Sequence, residues 1–206
     1  MSTALKRISV ADYLALERNS EFKSEFFDGE IFAMGGGSPN HSLIAANFVG
    51  EARQALKGKP CVVYTSDLRV KVSSTGLYTY PDSTIVCGEL QFDDKQGDTV
   101  TNPTVIVEVL SESTEKYDRG RKCSHYRQIP SVCEIILIAQ DEAHVERFVR
   151  QPEGGWLLQE ELDINGSFNL LSLNLSIAMS ELYRHVKFEA PASDPLMADG
   201  SEKRQC

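Results

Sequence analysis

Apolar residues recur at helical spacing through Ile44, Ala45, Phe48, Val49, Ala52 and Leu56, the clearest periodic signal in the chain. The run Gly35-Gly36-Gly37-Ser38-Pro39-Asn40 breaks the chain ahead of this helix, which starts at His41, and Gly58 ends it. Upstream, Ser9 followed by Asp12 predicts a short capped helix through Tyr13, Leu14 and Leu16. Residues 21–34 read as a hairpin turning at Asp28-Gly29, with Glu25 in its first arm. Downstream, Asp67, Arg69 and Lys71 alternate with Leu68, Val70 and Val72, so residues 62–72 read as one strand with a core face and a solvent or cleft face. Residues 85–87 form a short apolar strand behind Tyr80-Pro81-Asp82, and residues 91–101 read as a polar, mobile loop.

Residues 105–110 are an apolar, β-branched run of the kind buried on both faces of a sheet, and Glu108 stands in the middle of it. A carboxylate taken out of water costs several kcal/mol unless a cation, a metal or a strong donor meets it. Ser111, Ser113 and Thr114 then offer N-caps for a helix over residues 116–129, stopped by Pro130, with Gly120, Cys123, Tyr126 and Ile129 on its packed face. Lys122 lies beside that face, one turn beyond Asp118, where it can point back toward the end of the strand. A further apolar strand covers residues 135–139 and ends in Gln140. Residues 144–175 read as antiparallel strands around a Pro152-Glu153-Gly154-Gly155 turn, and a closing helix covers residues 177–186. These elements predict a mixed α/β (α+β) domain over residues 1–188, and the polar composition from residue 189 onward predicts a disordered tail over 189–206.

Composition narrows the function classes. At 206 residues with 41% hydrophobic positions, the chain is long enough for one full core and short for two. Neither a membrane-length apolar run nor a signal-peptide pattern is present, so a cytoplasmic protein is expected. Five cysteines at positions 61, 87, 123, 133 and 206 lack paired spacings, which reads as buried thiols in a reducing compartment and argues against zinc. A net charge of −9 argues against a general nucleic-acid coat. Locally, however, Lys116, Arg119, Arg121, Lys122 and Arg127 make the helix after Glu108 basic.

Asp82, Glu108 and Lys122 together make the chemical signal. Hard divalent cations take one or two carboxylates plus phosphate oxygens, and a nearby lysine can stabilise charge on a phosphodiester. Each residue also has a plainer reading: Asp82 as a turn residue after Pro81, Glu108 as half of a buried ion pair with Lys122, Lys122 as a solvated side chain.

Tyr80-Pro81-Asp82, Pro103, the run from Val107-Glu108 to Thr114, Asp118-Arg119-Gly120-Arg121-Lys122 with Tyr126, and Glu134 through Gln140 resemble, in order and spacing, the Uma-type restriction endonuclease family of the PD-(D/E)XK nuclease superfamily. The resemblance extends back through Phe26-Phe27-Asp28-Gly29-Glu30 and His41. It implies a restriction-endonuclease-like fold, with a mixed central sheet flanked by helices and extra antiparallel C-terminal strands, and a Mg²⁺-dependent DNA endonuclease in which Mn²⁺ can substitute. It further implies metal binding by Asp82 and Glu108 with Glu25 completing the shell, catalysis by Lys122, and a homodimer. Leu110 occupies the place where the superfamily motif has its lysine, so Lys122 is the relocated lysine that this resemblance requires. His41, Arg121 and Gln140 are candidate substrate contacts. A catalytically inactive, nuclease-like nucleic-acid-binding or structural protein is the alternative.

Overall fold

The computed structural model describes residues 7–188, and the tail expected over 189–206 lies outside them. Val10–Glu17 forms α1, capped by Ser9, whose hydroxyl accepts the Asp12 N–H. Ser24–Phe27 (β1) and Glu30–Ala33 (β2) make the expected hairpin. Asp28 and Gly29 both take positive φ, 49° and 82°, the conformation a two-residue hairpin turn requires and Asp-Gly tolerates. Pro39–Ala55 is α2, with Ser38 as N-cap and proline in the first turn. Six strands follow: β3 (Cys61–Thr65), β4 (Arg69–Val72), β5 (Leu77–Thr79), β6 (Ser83–Cys87), β7 (Thr99–Val100) and β8 (Val105–Val109). The next helical segment has three parts: α3 (Glu115–Tyr117), a π-helical stretch over Asp118–Lys122, and α4 (Cys123–Tyr126). After it come β9 (Glu134–Ile138), β10 (Val145–Arg150), β11 (Trp156–Glu161), β12 (Ser167–Leu170), β13 (Leu175–Ala178) and a short α5 (Met179–Leu182).

The central sheet has the order β11-β10-β9-β8-β6-β3, antiparallel except for the parallel β8–β9 pair. Strand alternation sends Val105, Val107 and Val109 to one face, where α2 covers them through Ile44, Phe48 and Ala52. Ile106 and Leu110 face the other way and pack on Cys123, Tyr126 and Ile129. Glu108 shares their parity, so the alternation that builds the core also aims this carboxylate at the helical segment. A second sheet, β2-β1-β5-β4-β7, closes over that segment and brings Glu25 of β1 with it.

The strand expected over residues 62–72 is two strands in different sheets. The Leu68 N–H closes a turn on the Thr65 carbonyl, and the chain crosses from β3 to β4 there. Arg69 and Lys71 do not form a solvent face. Arg69 is buried, donating to Thr99 and Tyr80 at 2.8 and 2.9 Å and pairing with Asp98 at 2.9 Å, while Lys71 pairs with Asp93 at 2.5 Å. These contacts anchor the loop expected to be mobile over 91–101, which also supplies β7 and receives Arg18 on Asp94 and Asp98. Arg69→Met is therefore expected to lower stability by on the order of 2–3 kcal/mol, because Asp98 and the Tyr80 hydroxyl lose a charged donor. A shift in the urea midpoint measures this. An unchanged midpoint would show that the guanidinium contributes nothing net.

The helix expected over 116–129 ends at Tyr126, and the one expected over 177–186 shrinks to α5 because Leu175–Ala178 pairs with β12 instead. The all-thiol reading of the cysteines is also corrected. Cys61 and Cys87 are directly opposed on β3 and β6 and form a disulfide, leaving Cys123 and Cys133 free among the described residues. The compartment inferred from unpaired cysteines loses that support. Among the described residues, no helix is long and apolar enough to cross a membrane.

Candidate active site

Asp82 immediately precedes β6, one residue beyond the Ser83–Val107 pair of the β6–β8 register, which brings it beside Glu108. Two carboxylates brought side by side in this way repel unless a cation meets them. Asp82 is fixed by its Oδ2, which accepts the Val109 N–H at 2.7 Å and lies 3.2 Å from His41 Nε2 at the start of α2. Glu108 is fixed by its Oε1, which accepts the Tyr126 hydroxyl and lies 3.0 Å from Lys122 Nζ. Asp82 Oδ1 and Glu108 Oε2 make no hydrogen bond to a described residue, so each acid keeps one oxygen uncommitted.

Residues four apart on a helix are neighbours, so one short segment can supply two charged groups, and here the segment between them is π-helical. Asp118 and Lys122 both turn inward and are buried, 3.5 Å apart, with Asp118 Oδ2 accepting the Thr114 hydroxyl at 2.6 Å. Lys122 Nζ also reaches Glu25 Oε1 at 3.0 Å, and Glu25 accepts from Thr79 and Tyr117. Three buried carboxylates, Glu25, Glu108 and Asp118, therefore share one buried ammonium, with Asp82 beside them on His41.

That imbalance sets the protonation. Burial pushes the Glu108 carboxyl up to about 8, and the charges of Asp82 and Asp118 act in the same direction while Lys122 opposes them. Asp118 is likewise raised, first by burial. Burial alone would lower Lys122, but Glu108, the Tyr126 oxygen, Glu25 and Asp118 outweigh it and hold the ammonium charged well above its ordinary range. His41 is raised by its contact with Asp82. The buried surplus of negative charge, with two free oxygens from neighbouring acids, fits a hard divalent cation.

Five of the sequence-derived site residues thus converge: Asp82, Glu108, Lys122, Glu25 and His41. Arg121 does not enter the cluster; it is exposed and lies over the Phe27 ring at 5.4 Å. Gln140 stands at the end of β9, held by the Ser38 hydroxyl and by Asn40 Nδ2 on its carbonyl, so it braces the entrance of α2 without touching the acids. Asp118 and Tyr126 belong to the site and were not assigned to it from the sequence, although their four-residue steps around Lys122 were the available signal.

Among the described residues, the group of three metal-ligating side chains with ligand atoms within 4.8 Å of one another is His144, just before β10, with Glu146 of β10 and Glu160 of β11. His144 already contacts Glu160 at 3.0 Å, and Arg119 pairs with Glu146. That group lacks the buried charge excess of the Asp82–Glu108 pair, which we take as the better cation site.

Comparison with known proteins agrees with this architecture. The putative nuclease of the DUF820 group from Anabaena variabilis, known from its crystal structure, superposes with a TM-score of 0.68 at 19% identity, over 85% of this chain and 97% of that one. The shared architecture is the restriction-endonuclease-like fold. Two proteins of Synechocystis sp., both named only as uncharacterized (slr1290 and sll1609), are each 34% identical to this chain. The first aligns over 91% of this chain and 97% of its own length, the second over 78% and 90%. The model of the Uma2 family, described as "Putative restriction endonuclease", matches residues 10–180. With its sequence matched by the family model over residues 10–180, this chain belongs to the Uma2 family.

Proposed function

We propose that the protein is a Mg²⁺-dependent DNA endonuclease that hydrolyses phosphodiester bonds at the Asp82–Glu108–Lys122 site. One observation carries the reading: Asp82, one residue outside the Ser83–Val107 pair, lies beside Glu108, each acid has a free carboxylate oxygen, and a buried lysine stands 3.0 Å from Glu108. Asp82 and Glu108 would hold the ion, and Glu25 would join them once Lys122 turns from it toward substrate. Mg²⁺ in such a site supplies Lewis-acid activation of water and neutralises phosphate charge, and Mn²⁺ does the same. Lys122 donates to the phosphate oxygens, where charge accumulates as the phosphorus–oxygen bond breaks. His41 holds Asp82 in its rotamer and presents a cationic edge to the substrate, while Arg121 and Lys116, both exposed on the same helical segment, lie where the flanking phosphodiester chain would pass.

Supercoiled plasmid incubated with Mg²⁺ or Mn²⁺ tests the reading. Nicking or linearisation is expected, abolished by a chelator and by Asp82→Ala or Glu108→Ala. A preparation that binds DNA yet leaves plasmid intact with both metals would favour the inactive, nuclease-like alternative.

A further inference from the structure

Among the described residues, strand β2 is a free sheet edge with neither face covered: Glu30, Ile31, Phe32 and Ala33 are all exposed. Phe32 is 46% exposed, and Phe22 and Leu16 beside the hairpin reach 77% and 56%. A bare apolar edge strand is a template for another strand, and native proteins normally blunt one with charge, proline or a cover. The other edges are managed. β11 carries Glu160 and Glu161, β7 is two buried residues long, and β3 keeps one face on the core.

We propose that β2 pairs antiparallel with β2 of a second copy of this chain, joining the two five-stranded sheets across a two-fold axis at Phe32. The backbone fits this register. Phe27↔Glu30 closes the hairpin and the Met34 N–H bonds the Lys23 carbonyl, so Glu30, Phe32 and Met34 turn their polar groups toward β1. Ile31 and Ala33 turn theirs outward. Placing Phe32 opposite its own copy pairs Ile31 of each chain with Ala33 of the other, which uses both outward N–H groups and both outward carbonyls. It also sets Glu30 against Met34 and keeps the carboxylates apart, so no like charges face each other. A second copy of this chain meets all of these terms at once.

The arrangement has a consequence for cleavage, which rests on the nuclease reading whereas the association itself does not. Glu25 is the β1 partner of Phe32, so it shares a sheet face with it. A two-fold axis normal to the sheet keeps both Glu25 residues on that face, in one row with the two phenylalanines. Three cross-strand steps put their Cα atoms roughly 15 Å apart, a separation comparable with a DNA groove of about 12 Å. Two sites so placed address the two strands of one duplex.

Sedimentation equilibrium of the full chain tests the association without any activity assay. Wild type should sediment at twice the monomer mass. Phe32→Lys sets like charges face to face, and Ala33→Pro removes an outward N–H without disturbing β1. Each should raise the dissociation constant about thirtyfold or more, with far-UV circular dichroism and melting temperature retained. Leu158→Lys on the exposed β11 edge should leave the dimer intact. A monomeric wild type, or a dimer unmoved by both β2 variants, overturns the proposal. If the chain is an active nuclease, the β2 variants should still nick plasmid but lose concerted linearisation.

Discussion

Lys122→Met is expected to separate metal binding from catalysis. The substitution keeps the length of the side chain but removes the ammonium that now lies 3.0 Å from both Glu25 and Glu108 and 3.5 Å from Asp118. Without metal, three buried carboxylates would then face one another, and removing one partner of a buried ionic cluster typically costs about 3–5 kcal/mol. The metal-free variant should therefore melt well below wild type, and Mn²⁺ should recover much of the loss because an ion bound only to the folded state stabilises it by mass action. Mn²⁺ affinity should hold or rise, since a competing cation has left the acids. DNA cleavage should nevertheless fall about a hundredfold or more, the usual effect of deleting a preorganised group that meets transition-state charge. Isothermal titration and single-turnover cleavage read the two effects separately. Arg121→Ala is the contrast: exposed over Phe27, it should weaken DNA binding and flatten its salt dependence while leaving the chemical step intact. If Lys122→Met cuts as fast as wild type while Asp82→Ala is dead, another cation serves the phosphate.

The extent to which this site was legible in the sequence follows from the range of the interactions. Glu108 announced itself because it interrupts a β-branched run, and alternation alone decides which face it occupies. Lys122 could be placed near it because the strand leads directly into the helix. That Asp82 stands beside Glu108 could not be read without the β6–β8 register, which depends on a connection of many residues. The same is true of Cys61 and Cys87, far apart in sequence and adjacent only through the β3–β6 pairing. Residues 62–72 misled for another reason. Arg69 and Lys71 are polar and alternate with apolar neighbours, but each has an anionic partner in the 91–101 loop, so polarity did not mean solvent. Asp118 lies four residues before Lys122, a spacing at which helical side chains meet, but such a pair reads first as an ordinary surface ion pair, and only the tertiary packing shows that both are buried.

The other large expected effect is a loss of stability in the metal-free protein as pH rises from 4.5 toward 8. Glu108 has a folded value near 8 against an ordinary 4.5, so between these limits the unfolded chain has released a proton that the folded chain still holds. Stability falls with pH wherever the folded state binds more protons. The contribution is thus fully present below 4.5 and lost as pH passes through the folded value. Asp118, raised mainly by burial, acts in the same direction, and so does His41, whose proton is held by Asp82. His125, lowered by burial, opposes them within the window, while Lys122 stays charged across it and Asp98, kept well below the usual carboxylate range by Arg18, titrates beneath it. Urea midpoints measured in a chelator should therefore decline across this range by the equivalent of a few kcal/mol. Glu108→Gln should flatten most of the slope, because the amide keeps the neutral form at every pH. Saturating Mn²⁺ should flatten it in wild type by another route: the ion replaces the proton on Glu108, and its affinity should rise with pH over the same interval. A wild-type slope that survives Glu108→Gln would mean that the buried proton sits elsewhere among the four acids, with Asp118 the next to test.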